Sequence, residues 1–173
     1  MEKNIYGLRP LKPEDAARML EWMQTEDVVH YLRLRGENMT LADTSAFIEK
    51  ARDESVDLHR AVTMEDGRYY GTVSLKNIDR QAGEAEYAIS LHPDAIGTAA
   101  ARRATAGILR IAFRQLGLRR VYLNVAEENL RAIRFYEKFG FRYERSTPVE
   151  LKGAHTKLRW YDIRADEFLL TQS

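Results

Sequence analysis

The sequence predicts one mixed α/β domain, and three observations predict it. Segments of strand character and segments of helical periodicity follow one another as β-α-α-β-β-β-α-β-α-β-β. The 173 residues suit a single core, and no low-complexity or Pro/Gly/Ser-rich stretch marks a boundary inside them. A strand over Glu84–Leu91 runs through a loop of small residues straight into a long helix.

Each element has a local reason. Ile5 to Leu11 reads as the first strand, and Pro13 suits the first turn of the helix that follows. Ala16, Met19, Leu20 and Met23 recur there at helical spacing. Thr40 with Asp43 forms a variant capping box for a second helix through Phe47, Ile48 and Ala51. Leu58–Met64 and Tyr69–Lys76 flank Glu65-Asp66-Gly67-Arg68, whose Asp-Gly pair predicts a hairpin. Asp79–Gly83 makes a polar turn into the strand Glu84–Leu91. The long helix Thr98–Leu116 lines one face with Ala104, Ile108, Ile111 and Ala112 and stops at Gly117. Arg120–Val125 is a strand and Asn129–Phe139 a helix; strands near Arg142–Thr147 and Lys157–Ile163 complete the order.

Composition removes several classes of function. The 27 basic and 26 acidic residues nearly cancel, so no field for a polyanion such as nucleic acid is expected. There is no cysteine, which excludes disulfide scaffolds, thiolate metal sites and a Cys nucleophile. His30, His59, His92 and His155 are scattered without metal-ligand spacing, so no metal is expected. No signal-type core or membrane-length apolar run is present, and a cytoplasmic protein is the expectation.

The chemistry concentrates between Glu84 and Phe141. A Gly/Ala loop entering a helix presents unpaired backbone N–H groups at the positive end of the helix dipole, a seat for phosphate or pyrophosphate. Here the loop and first turn are Ile96-Gly97-Thr98-Ala99-Ala100-Ala101-Arg102, with side chains small enough to let a ligand reach the backbone. Taken alone, this is also what a helix start of high Ala propensity looks like. Downstream, Asn129 suits a helix cap, and Tyr136 can bury its ring while offering a hydroxyl. Glu84 and Glu86, two apart, share one face of their strand.

These residues resemble the GNAT superfamily of N-acetyltransferases. That family's loop motif, (Gln/Arg)-x-x-Gly-x-(Gly/Ala), falls on Asp94-Ala95-Ile96-Gly97-Thr98-Ala99. Its later signature, an Asn followed by a Tyr and a Gly-Phe pair, falls on Asn129, Tyr136 and Gly140-Phe141. The resemblance implies a central, mostly antiparallel, twisted sheet flanked by helices. It implies acetyl-CoA as co-substrate, held by Ser90, Leu91, the loop from Ile96 to Arg102, Asn129 and Tyr136 in the half spanning residues 84–141. It assigns Tyr136 as general acid for the departing thiolate, and Glu86 as a base that can relay the ammonium proton through water. Asp94 departs from the pattern, because an acid stands where the family has a basic or amide residue; Arg102 and Arg103 could compensate.

The resemblance also implies direct attack by a primary amine in a ternary complex. The acceptor would be a protein N-terminus, as for the ribosomal-protein alanine acetyltransferases the chain partly resembles, or a small amine or amino sugar. Acceptor-binding elements are expected mainly within residues 12–56, with Tyr31 and Arg33 on the rim and Trp22 and Arg35 nearby. A homodimer is expected, with Leu158, Trp160, Tyr161 and Ile163 either pairing with a second copy or completing the core. Two other readings remain open: a non-catalytic acyl-CoA-binding regulatory domain, and a nucleotide-binding regulator using Gly97 as a phosphate loop. Against the second, the chain has neither a Gly-Lys-Ser/Thr motif nor a full Gly-x-Gly-x-x-Gly.

Overall fold

A computed structural model of the chain describes residues 7–23, 38–151 and 153–171. Strand β1 (Leu8–Arg9) leads to helix α1 (Asp15–Met23), then α2 (Leu41–Lys50) and strands β2 (Leu58–Thr63), β3 (Tyr69–Asp79) and β4 (Glu84–Leu91). A short 3₁₀ turn (Pro93–Ala95) precedes α3 (Ala100–Arg110), which widens into a π-turn over Ile111–Gln115. Strand β5 (Arg120–Ala126), helix α4 (Leu130–Phe139), strands β6 (Arg142–Leu151) and β7 (Ala154–Arg164), and helix α5 (Ala165–Thr171) follow.

The strands form one seven-stranded sheet in the order β1-β2-β3-β4-β5-β7-β6. Every neighbouring pair runs antiparallel except β4 and β5, which are parallel. The expected mostly antiparallel sheet is therefore observed, with its one parallel joint in the middle.

Local chemistry explains the elements. The Thr40 hydroxyl accepts from the Asp43 N–H at 3.2 Å, and the Asp43 carboxylate accepts from the Thr40 N–H at 2.8 Å, which completes the capping box. The Gly67 N–H closes the β2–β3 turn on the Met64 carbonyl. Gly117, at φ +67°, ends the long helical segment. Two features exceed the sequence reading. Strand β6 continues through Pro148 because it is the sheet edge, where a missing N–H costs no ladder bond. Helix α5 closes the chain, and Phe168 packs its ring 5.5 Å from Phe113.

The sheet has two unlike faces. On one, α3, α4 and α5 cover Val73, Leu75, Ala85, Tyr87, Val121 and Leu123 to form the main core. On the other, α1 and α2 cover only the β2–β3 side, around Met19, Trp22, Ile48, Ala61 and Tyr69. Tyr161 and Ile163 belong to the main core, Leu158 is buried, and Trp160 is half-buried. Among the described residues no helix is long and apolar enough to cross a membrane.

Candidate active site

The parallel joint is where the sheet opens. Strands β4 and β5 pair from Glu84↔Arg120 to Glu86↔Tyr122 and no further, although both run on for several residues. The edge of β4 from Tyr87 to Leu91 is thereby released on the β5 side, while its other edge stays paired with β3 through Ser90↔Thr72 and Leu91↔Gly71. Gly71 makes that close pairing possible: a Cβ there would lie 2.2 Å from the Ser90 carbonyl oxygen. An extended amide-bearing ligand can add to a released strand edge as another strand would.

At the mouth of the opening lies the small-residue loop. Gly97 has φ +80°, and a Cβ at that position would meet nothing within 4 Å. The Thr98 hydroxyl donates to the Ala95 carbonyl at 2.6 Å and accepts from the Ala100 N–H at 3.2 Å. No hydrogen bond among the described residues uses the N–H groups of Gly97, Ala99, Ala101 or Arg102. Unused donors at a helix start, open to approach, fit the pyrophosphate of a coenzyme A thioester. Arg102 and Arg103 are exposed on the same turn. The Asp94 side chain is 74% exposed, and its carboxylate lies 3.6 Å from His92 Nδ1, which accepts the Asp94 N–H. It thus stands outside the row of free donors.

Tyr136 sits on the helix-covered face. Its ring is 8% exposed and meets Tyr87 edge-to-face at 5.8 Å, with Phe141 at 5.7 Å. Burial pushes the Tyr136 phenol well up, with a smaller opposing effect from the Tyr87 hydroxyl beside it, and burial does the same to Tyr87. Both therefore remain protonated donors at neutral pH. Asn129 caps α4, its side chain accepting from the Ala132 N–H at 3.2 Å. Leu130, the first residue of α4, is 57% exposed.

On the opposite face, Glu86 is held by two carboxamides. Asn77 donates to Glu86 Oε2 at 3.1 Å and Asn124 to Oε1 at 3.1 Å. Asn77 reaches it from a β-bulge in β3, with φ +51°, and its own N–H donates to the Asp57 carboxylate at 2.8 Å. Among the described residues Glu86 forms no ion pair. Glu84, by contrast, is not merely a solvated carboxylate: Arg120 holds it at 3.1 Å together with Asp162 and Glu144. Tyr122 completes this face, lying over Arg120 and 6.3 Å from Trp160. Burial, and then the carboxylates of Glu86 and Glu84, push its phenol up.

The structure brings Glu86, Ser90, Leu91, the loop and Tyr136 to one strand and its joint. Tyr31 and Arg33 lie outside the described residues, as does Arg35. Trp22 is buried against Tyr69 in the packing of α1. Sequence reasoning missed Asn77, Asn124, Tyr122 and Tyr87. Period-two alternation could have found three of them, since Tyr122 and Asn124 follow Arg120 on the exposed parity and Tyr87 is the neighbour of Glu86.

Comparison with known proteins agrees with this geometry. Residues 6–142 match the family model of the acetyltransferase (GNAT) domain. Spermidine N(1)-acetyltransferase of Escherichia coli (strain K12) is 30% identical over 137 residues, covering 79% of this chain and 73% of that protein. A Bacillus subtilis (strain 168) protein, provisionally named ribosomal N-acetyltransferase YdaF, is 27% identical over 168 residues, covering 93% and 92%. Among solved structures, spermidine N-acetyltransferase from Vibrio cholerae in complex with CoA and spermine superposes with a TM-score of 0.86. That match covers 94% of this chain and 96% of the other, at 23% identity.

Proposed function

This chain belongs to the GNAT acetyltransferase family, and from that premise we propose that its acceptor is a small cationic primary amine of the polyamine class. It is an N-acetyltransferase, and acetyl transfer to an amine is its activity. The observation that carries the acceptor class is Glu86: an amide-held carboxylate that forms no ion pair among the described residues, beside the parting of β4 and β5. Such a group suits an ammonium in two ways, first as counter-ion and then as base. The relative that acts on spermidine points the same way.

The proposed mechanism is direct attack in a ternary complex. The free N–H groups from Gly97 to Arg102 would hold the pyrophosphate, and the released edge of β4 at Ser90 and Leu91 would hold the pantetheine arm. Asn129 would add a contact to that arm beyond its capping role. Glu86 takes a proton from the ammonium, directly or through a water, and the freed amine attacks the thioester carbonyl. As the C–S bond breaks, the attacking nitrogen loses its second proton to solvent, Tyr136 gives its phenolic proton to sulfur, and water then returns a proton to Tyr136. Holding both reactants at one joint supplies much of the acceleration by proximity. No cysteine is present to carry the acetyl group in between.

A CoA-release assay tests this with spermidine and spermine against amino sugars and a peptide with an N-terminal alanine. Polyamines should be turned over with the highest kcat/KM. Turnover of the peptide alone would move the assignment to protein N-termini. Release of CoA without any acceptor, with an acetylated protein trapped, would contradict direct attack.

A further inference from the structure

His92 is the residue at which β4 turns into the coenzyme loop, and each of its polar groups has a partner. Its N–H donates to the Tyr70 carbonyl of β3 at 2.7 Å, and its carbonyl accepts from the Ala95 N–H at 2.9 Å. The ring is buried, and its Nδ1 accepts from the Asp94 N–H at 3.1 Å, which caps the Pro93–Ala95 turn. A neutral imidazole that accepts at Nδ1 carries its proton on Nε2. That nitrogen faces the Glu21 carboxylate of α1 at 3.8 Å. Glu21 stands three residues beyond Arg18, on the same side of α1. Arg18 donates to the Tyr69 carbonyl at 2.8 Å, and its guanidinium carbon lies 4.8 Å from the centre of the Tyr70 ring. The Tyr70 ring in turn meets the His92 ring edge-on at 6.2 Å. One side of α1 thus reaches the root of the loop twice, directly through Glu21 and by way of Tyr70 through Arg18.

We propose that His92 is a positioning residue for the coenzyme seat: oriented from α1 by Glu21, its ring fixes the turn that delivers Gly97 and the unused donors behind it. The inference rests on the loop from Gly97 to Arg102 being the pyrophosphate seat. The turn is three residues long, and two of the hydrogen bonds that hold it end on His92. Without the ring acceptor the Asp94 N–H is released and the loop visits more conformations, which acetyl-CoA must then order on binding. The ring touches no reactant in the proposed mechanism, so the chemical step is unaffected once acetyl-CoA is bound. Because the contact uses the Asp94 N–H and not its carboxylate, it tolerates the acid that departs from the family pattern at that position.

His92→Ala removes the acceptor. It should raise the acetyl-CoA KM about five- to tenfold, with kcat at saturating acetyl-CoA unchanged. His92→Asn should bring that KM back to within about twofold of wild type, because an Asn before Pro caps such a turn with its own side chain. Glu21→Gln should raise the same KM about twofold, and it should add nothing in the His92→Asn background, where no imidazole remains to be oriented. A wild-type KM for His92→Ala, a loss confined to kcat, or no recovery in His92→Asn overturns the inference. An unchanged KM for Glu21→Gln overturns the link to α1. Wild-type acetyl-CoA binding by Gly97→Glu would instead sink the seat itself, which distinguishes the two failures. Should His92→Ala not fold, His92→Phe keeps a ring without an acceptor and should show the same rise in KM; a wild-type KM there overturns the inference as well.

Discussion

The two faces of β4 are built differently, and in the proposed mechanism they would divide the work of one reaction. The Tyr87 face is dry: its side chains meet α3 and α4, and the Tyr87 hydroxyl is paired with that of Thr105. The Glu86 face is open among the described residues: its carboxylate is held by side chains that arrive from two other strands. An acid that must keep its proton benefits from burial, whereas a base that must hold a charge needs donors and water. The difference teaches that Tyr136, packed from α4 against the Tyr87 face, and Glu86, on the opposite parity of β4, each have their own environment. They can meet only where β4 and β5 part, so the coenzyme seat should be the feature both faces depend on.

The largest expected effect therefore lies at the seat. Gly97→Glu puts bulk and negative charge among the unused donors, and it should abolish the rise in melting temperature caused by acetyl-CoA. Gly97→Ala is the control, because it carries the same left-handed strain of about 1–2 kcal/mol without the charge. The fold should survive both, with melting temperature lowered by a few degrees. Equal acetyl-CoA binding by wild type and Gly97→Glu would reduce the loop to a helix start.

Next come the faces themselves. Tyr136→Phe should lower kcat by about 10²-fold with acetyl-CoA affinity retained, measured by steady-state rates and thermal shift. Glu86→Gln should lower kcat by at least about tenfold, and it should also raise the amine KM, if the carboxylate serves as proposed both as counter-ion and as base. Gln offers one oxygen in place of two, so either Asn77 or Asn124 also loses its acceptor. If both variants shifted only the acetyl-CoA KM, the division of labour between the faces would fail.

Legibility in the sequence follows the same division. The dry face depends on local period and on small residues at a helix start, and these stand in the sequence as Glu84–Leu91, Gly97 and the spacing of Asn129 from Tyr136. Its hydroxyl pair was hidden, because Tyr87 and Thr105 meet only across a strand and a helix. On the open face, alternation carries Glu86, Tyr122 and Asn124 to one parity but does not encode which of them meet across strands. Asn77 is the clearest case. Regular pleating would send it to the same face as Leu75, and only the bulge between Lys76 and Asp79 turns it toward Glu86. The C-terminal helix was missed because seven residues are too few for a period to show.

Asn77 supplies the smallest and most discriminating test. Its φ of +51° strains a side-chain-bearing residue, although Asn tolerates the region better than most. Strain held at a candidate site invites a functional reason, and the hydrogen bond to Glu86 is the one on view. Asn77→Gly separates the two effects. Glycine adopts the conformation freely, so thermal stability should stay within about 1 kcal/mol of wild type. The amide is gone, so Glu86 keeps only Asn124, and kcat should fall by roughly three- to tenfold, as for one lost hydrogen bond. Acetyl-CoA binding, a property of the other face, should not move. A variant with wild-type kcat would show that Asn77 serves the bulge alone, and that Asn124 and solvent suffice to orient the base.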